Sequence, residues 1–351
     1  MSSATRGTYR HAALFFRSDE EFLARAVPYL QEGLFAGEVA LVVCDEEHNA
    51  QLARALPDDA QVLVLPRSAV YTRAAHACVT YQRLVHRLLA DGARGARLIS
   101  EPSYGSEPQA WRAWTTVEAV SNVILKSLPL SSVCGYDLRA LSAPMLQDVQ
   151  RVHPQLLTAK GPVPSDAYVH PADLFGNTPA PPDPLEATPP SLDLGNITDR
   201  AAVARARDQV RFLLDATCPH HPVGREFLGA VAEVMTNAFS HGRPPLHLRV
   251  WTTSSRLLCT VTDRGPGADL LFAGYVRGDL DDERTRAGLW LARQTCDHLD
   301  AFRTPDGFTV RLGSTIPAAP PGAEAARARA EATARGVQAA RLRAAVLPPV
   351  Q

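Results

Sequence analysis

The chain has 351 residues, 46% hydrophobic and 21% charged, and at ~150 residues per domain two globular domains are expected. Its 36 basic and 37 acidic side chains leave a net charge of −1, without the basic excess of a non-specific binder of nucleic acid or anionic membrane. No apolar run approaches the ~18–20 residues that a membrane span needs, and the opening MSSATRGTYRHAAL has no apolar signal core. A cytoplasmic protein without direct DNA or membrane contact is therefore expected.

In the first half, short apolar runs alternate with amphipathic stretches. Strands are predicted at 12–16, 39–44, 61–66, 97–101 and 132–137, and helices at 18–35, 46–56, 71–90 and 108–127. Ser18 precedes Asp19, Glu20 and Glu21, an N-cap followed by first-turn acids. This repetition predicts an α/β domain over 9–156, a mostly parallel sheet with helices on both faces, closed by a helix at 143–153. Prolines then crowd the chain at 162, 164, 171, 179, 181, 182, 184, 189 and 190. Such a stretch interrupts helices and sheet ladders, and a semi-extended linker is predicted over 157–196. Beyond it, helices are predicted at 199–216 and 225–240, strands at 246–253 and 257–263, a helix at 289–298, and a hairpin of 301–304 with 308–312. That order predicts an α+β domain over 197–316. An Ala/Arg-rich tail occupies 317–351.

The six cysteines form no CxxC pair and no Cys/His cluster at zinc spacing, so reduced, buried thiols are expected. Lys126 and Lys160 are the only lysines, and neither lies in a phosphate loop. P-loop NTPases and eukaryotic-type protein kinases are thereby excluded.

Three segments of the second half point to a nucleotide site. Glu233 and Asn237 are one helical turn apart, so they share a face. A carboxylate and an amide oxygen there can hold Mg²⁺ and orient a nucleophile. Asp263, at a strand end, precedes Gly265 and Gly267; the carboxylate can accept from an exocyclic amine while the glycines admit a flat base. Gly288 opens a predicted helix, where backbone N–H groups favour phosphate. Each segment alone is weak; their order on these element types is the signal.

Residues 197–315 resemble the Bergerat-fold (GHKL) ATPases, above all the anti-sigma-factor serine kinases. EVMTNAFSHG is similar to their N box, DRGPG to their first glycine box, GLWLARQTCD to their second, and Phe308-Thr-Val-Arg311 to their final strand. The resemblance implies an α/β sandwich that binds ATP and Mg²⁺. It casts Asn237 as the magnesium ligand, Glu233 as general base, Asp263 as adenine reader with Gly265 and Gly267 shaping its pocket, Gly288 beside the phosphates and Thr309 near the nucleotide. One departure stands out: Arg286 replaces the first glycine of the usual G-x-G. It either pairs with phosphate or obstructs the backbone there.

Residues 9–156 are similar to the MEDS sensory domain, through His11-Ala-Ala-Leu-Phe-Phe16, Phe22-Leu, Gly33-Leu-Phe-Ala-Gly37-Glu38, Ser100-Glu-Pro102 and Cys134-Gly-Tyr-Asp137. Together the halves resemble the RsbA-type anti-sigma regulators of actinobacteria. That implies a sigma factor and a STAS-type antagonist protein as partners and a small-molecule signal for the first domain, and leaves a homodimer open. A ligand would gather at the strands' carboxyl ends, near Cys44, Asp45, Glu101, Tyr104, Tyr136 and Asp137; Glu101 and Asp137 read equally as helix or turn caps. His11 is expected at the opposite rim, and His11 and His153 as structural side chains. Two other functions compete: a binding protein with a degenerate ATP site, and a sensor histidine kinase, for which no acceptor-histidine domain is found.

Overall fold

The computed structural model describes residues 9–57, 60–102, 104, 107–175, 180–219, 221–267, 270–275 and 283–317, the side chains of 283–287 excepted. The first half runs β1 (Arg10–Phe16), α1 (Asp19–Phe35), β2 (Val39–Val43), α2 (Glu46–Ala55), β3 (Val62–Val64), α3 (Arg67–Val70), α4 (Ala74–Ala90), β4 (Ala96–Ser100), α5 (Pro108–Ile124), β5 (Leu130–Asp137), α6 (Ala143–Val152), β6 (Gln155–Thr158) and β7 (Gly161–Pro164). These strands form one sheet in the order β3-β2-β4-β5-β1-β6-β7. It is parallel up to β6, and β7 returns antiparallel. Helices cover both faces, so β2 and β4 are buried along their whole length, as a parallel sheet requires. Ser18 caps α1 by accepting from the Glu21 amide at 3.2 Å.

The second half follows α7 (Pro171–Phe175) and a 3₁₀ turn at Pro184–Ala187. It comprises β8 (Leu192–Ile197), α8 (Arg200–Thr217), α9 (Pro222–His241), β9 (Leu246–Thr252), β10 (Arg256–Asp263), α10 (Glu283–Thr295), β11 (His298–Thr304) and β12 (Gly307–Thr315). The sheet, β11-β12-β10-β9-β8, is antiparallel. Strand alternation turns Leu257, Cys259 and Val261 of β10, with Val310 and Leu312 of β12, toward α8–α10, where they meet Phe227, Val231 and Met235.

Two elements differ from the sequence reading. The proline stretch is not a bare linker: β6 and β7 extend the first sheet, and β8 pairs with β9 of the second. Pro162 and Pro164 are tolerated because β7 is an edge strand, which needs donors on one side only. Asp183, 1% exposed, pairs with Arg256 at 2.6 Å. The last helix also starts earlier, at Glu283 rather than residue 289. Nothing in Glu-Arg-Thr-Arg-Ala breaks a helix, so Gly288 lies within α10 and not at its start.

The halves touch. Arg73, at the start of α4, reaches Glu226 at 3.0 Å and the Gln294 carbonyl at 3.2 Å. The connection from β10 to α10 packs Leu271, Phe272 and Tyr275 onto α4 and α5 of the first half. Tyr275 is 2% exposed, with the Arg293 guanidinium 4.1 Å above its ring.

Candidate functional site

Asp263 ends β10 on the helix-covered face, 5% exposed. Its Oδ1 accepts the Gly265 amide at 2.6 Å and the Arg243 amide at 3.1 Å. One carboxylate oxygen thus clasps the loops that follow α9 and β10, and Oδ2 takes part in neither bond. Gly267 has φ +70°, a left-handed turn, and lies against the Phe308 ring. Phe308 pairs with Asp263 in the sheet register, so the end of β10 and the start of β12 form one wall.

Glu233 and Asn237 are half-buried on α9. Helix α10 crosses α9 at Gly288, where an added Cβ would collide with the Glu233 carboxylate. The structure therefore joins Glu233 to Gly288, and Asp263 to Gly265, with Gly267 against Phe308. Thr309 is not brought to them. It lies on the far face of the sheet, its hydroxyl 2.8 Å from that of Thr262, because alternation sends Phe308 and Thr309 to opposite sides. The side chain of Arg286 lies outside the described residues. A cleft of about 650 Å³ opens between the halves, lined by Arg112, Phe175, Asp300, Phe302 and Arg311; among the predicted site residues it touches Gly267.

This donor set suits a purine nucleotide with magnesium. A buried carboxylate, immobilised by two backbone donors, stands at a strand end against Gly242, the C-cap of α9, and that helix carries a carboxylate and an amide one turn apart.

In the first half, Glu101 accepts from the Asp45 amide and pairs with His48 Nδ1, each at 3.0 Å. Burial opposes charge on His48, but Glu101, Asp45 and Asp19 outweigh it and raise its pKa. Glu101 therefore braces the start of α2. Asp137 is held by Arg139 at 2.7 Å. The Tyr104 ring stands edge-on to Trp111, 4.7 Å between centroids. His48 escaped the sequence reading; its one local signal is its place three residues after the Asp45 cap. On the opposite face of the sheet His11 meets Glu118 at 2.9 Å, with the His153 ring tilted beside it, 4.2 Å between centroids.

Residues 10–154 match the family described as MEDS, the methanogen/methylotroph DcmR sensory domain. Residues 198–313 match the histidine kinase-like ATPase domain. The chain joins a MEDS domain to a histidine kinase-like ATPase domain. Among solved structures it is similar to the RsbU and RsbW domains of Rv1364c from Mycobacterium tuberculosis, at 20% identity and a TM-score of 0.28. That match covers 37% of this chain and 34% of the other, well short of the neighbour's full length. No curated protein matches the chain. Among the described residues, no helix is long and apolar enough to cross a membrane.

Proposed function

We propose that the protein is a cytoplasmic anti-sigma regulator. Its ATPase-like domain binds Mg-ATP, sequesters a sigma factor and phosphorylates a STAS-type antagonist on serine or threonine, while its MEDS domain tunes that activity to a small-molecule signal. The supporting observation is Asp263, a buried carboxylate fixed by the Gly265 and Arg243 amides beside the helix that carries Glu233 and Asn237. The partners rest on the resemblance of EVMTNAFSHG, DRGPG and GLWLARQTCD to the serine-kinase motifs.

Bound ATP supplies the transferable phosphoryl group. Asp263 accepts from the adenine amine, and Asn237 offers a neutral oxygen to Mg²⁺. Glu233 takes the proton of the incoming hydroxyl as its oxygen bonds the γ-phosphorus and the bond to ADP breaks. The rest of the work is positioning.

A binding-only reading is favoured by one observation, the packing of Gly288 inside α10 against Glu233 rather than at a helix start. Radiolabelled ATP with a cognate antagonist separates the two. In the kinase reading Glu233→Ala keeps ATP and sigma-factor binding and loses ~10²–10⁴-fold in transfer rate. Wild-type protein that holds the sigma factor yet transfers no phosphate assigns the binding-only role instead.

A further inference from the structure

Four side chains from distant parts of the MEDS domain converge on the face of its sheet opposite to Glu101. His11 comes from β1, Cys134 from β5, Glu118 from α5, and His153 follows α6. His11 Nε2 lies 2.9 Å from Glu118 Oε2 and 3.4 Å from Cys134 Sγ. Glu118 Oε2 lies 3.5 Å from both Cys134 Sγ and His153 Nε2. All four donor atoms fall within 4.8 Å of one another. Exposure is 2% at His11, 4% at Cys134 and 0% at His153.

The outer nitrogens of both imidazoles are committed. His153 Nδ1 faces the Val149 carbonyl at 2.8 Å. A carbonyl can only accept, so Nδ1 carries the proton and a neutral ring turns the Nε2 lone pair inward. That Nε2 is buried without a hydrogen-bond partner. His11 Nδ1 faces Asn122 Oδ1 at 3.1 Å. The Asn122 amide nitrogen is spent on the carbonyls of Val152, at 2.9 Å, and Ala119, at 3.0 Å, so its oxygen must face the ring and His11 Nδ1 is also a donor. With both rings neutral, two imidazole lone pairs point at a carboxylate oxygen across 2.9 and 3.5 Å. Such a cluster repels itself unless a cation, a metal ion or a proton on one ring, sits among its donors.

We propose that His11, Glu118, Cys134 and His153 form a tetrahedral site for a borderline divalent metal ion, Zn²⁺ in the first place. Two imidazoles, a thiolate and a carboxylate suit that class. Bonds of ~2.0–2.3 Å space tetrahedral donors by ~3.3–3.6 Å, close to the 3.4 Å between His11 and Cys134 and the 3.5 Å from Glu118 to Cys134 and to His153. The Asn122 and Val149 oxygens supply the outer hydrogen bonds that fix ligating histidines. Ligation takes the thiolate, so one proton leaves Cys134 as the ion enters. Protein donors fill all four positions, which makes the site a clamp joining β1, β5, α5 and the end of α6, not a hydrolytic centre.

The test uses the full chain, stripped with a chelator and titrated with Co²⁺, then with Zn²⁺. One equivalent of Co²⁺ should bind with a thiolate charge-transfer band and tetrahedral visible bands, and Zn²⁺ should displace it. Cys134→Ser should lose the charge-transfer band, and Asn122→Ala should weaken binding by ~10–100-fold. His48→Gln, in the separate acidic cluster, should change neither. X-ray absorption of the zinc-loaded wild type needs no variant, and should show one sulfur among three nitrogen or oxygen neighbours. A wild type that takes up no metal means that an imidazolium–carboxylate pair fills the pocket, and the proposal fails. It fails equally if the band survives in Cys134→Ser, or if zinc has only nitrogen and oxygen neighbours.

Discussion

The two domains bury charge in different ways. In the MEDS domain, ionisable groups sit inside the layers: His11, Glu118 and His153 on one face of the sheet, His48 and Glu101 on the other. In the ATPase-like domain the core between helices and sheet is apolar, and Asp263 stands at its rim. Two sets of ion pairs there, Arg311 with Asp300 and Glu186, and buried Asp183 with the half-buried Arg256, lie where residues 180–187 cross the sheet. An ion pair inside a layer must repay the desolvation of both partners, so the MEDS clusters are poised to gain from a bound cation or proton. An ion pair that ties a crossing segment to a sheet fastens architecture, and leaves the rim carboxylate to meet a ligand.

Three measurements can break or sharpen that contrast. The largest effect is expected at Arg311, 2% exposed, which pairs with Asp300 and Glu186, each at 2.8 Å. Arg311→Met strands two carboxylates that are 19% and 22% exposed, and should cost about 3 kcal/mol, the lower end for a broken buried pair. Denaturant unfolding reads it, and a loss near zero would show that these charges fasten nothing.

Next comes Asp263→Asn, which turns an acceptor toward adenine's own amine into a donor. ATP affinity should fall by ~1–3 kcal/mol, roughly 5–150-fold. Equal affinities by calorimetry would remove Asp263 from the nucleotide site.

The smallest effect is a change of pH slope at His48. Its raised pKa, held up by Glu101, Asp45 and Asp19 with Asp137 nearby, means the folded state binds its proton more tightly than the unfolded chain. That stabilisation is complete below the ordinary value of about 6.5 and is lost as pH rises through the raised folded value. His48→Gln should flatten the fall in stability over that window, and parallel profiles would refute the assignment.

The parts of the candidate nucleotide site were legible because local rules place them. Glu233 and Asn237 need only helical spacing, and Asp263 with Gly265 only a strand end and a turn. The misplacements had local causes too. Phe308 and Thr309 are neighbours in a strand, so choosing between them decides the sheet face. The helix at Gly288 ran further back because the preceding residues carry no stop signal. The prolines of β7 and the capped turn at Asp183 concealed a stretch that is woven into both sheets. The His11, Glu118, Cys134 and His153 cluster had no local signature at all. Its members meet only because β1 pairs with β5 in the register His11–Ser132, which leaves Cys134 next along the same face.

Gly267 belongs to the wall of the proposed nucleotide site, yet within a few residues the same connection sinks Leu271, Phe272 and Tyr275 into the helical layer of the MEDS domain. Any ligand that fixes the backbone around Gly267 and any ligand that repacks α4 or α5 therefore draw on one short piece of chain. Under the proposed function their binding free energies would be linked through it, with the same size in both directions. A signal that alters nucleotide affinity must itself be held more or less tightly when nucleotide is present. Under the proposed function, the sensing domain's titration curve is in this sense also a readout of the adenylate pool.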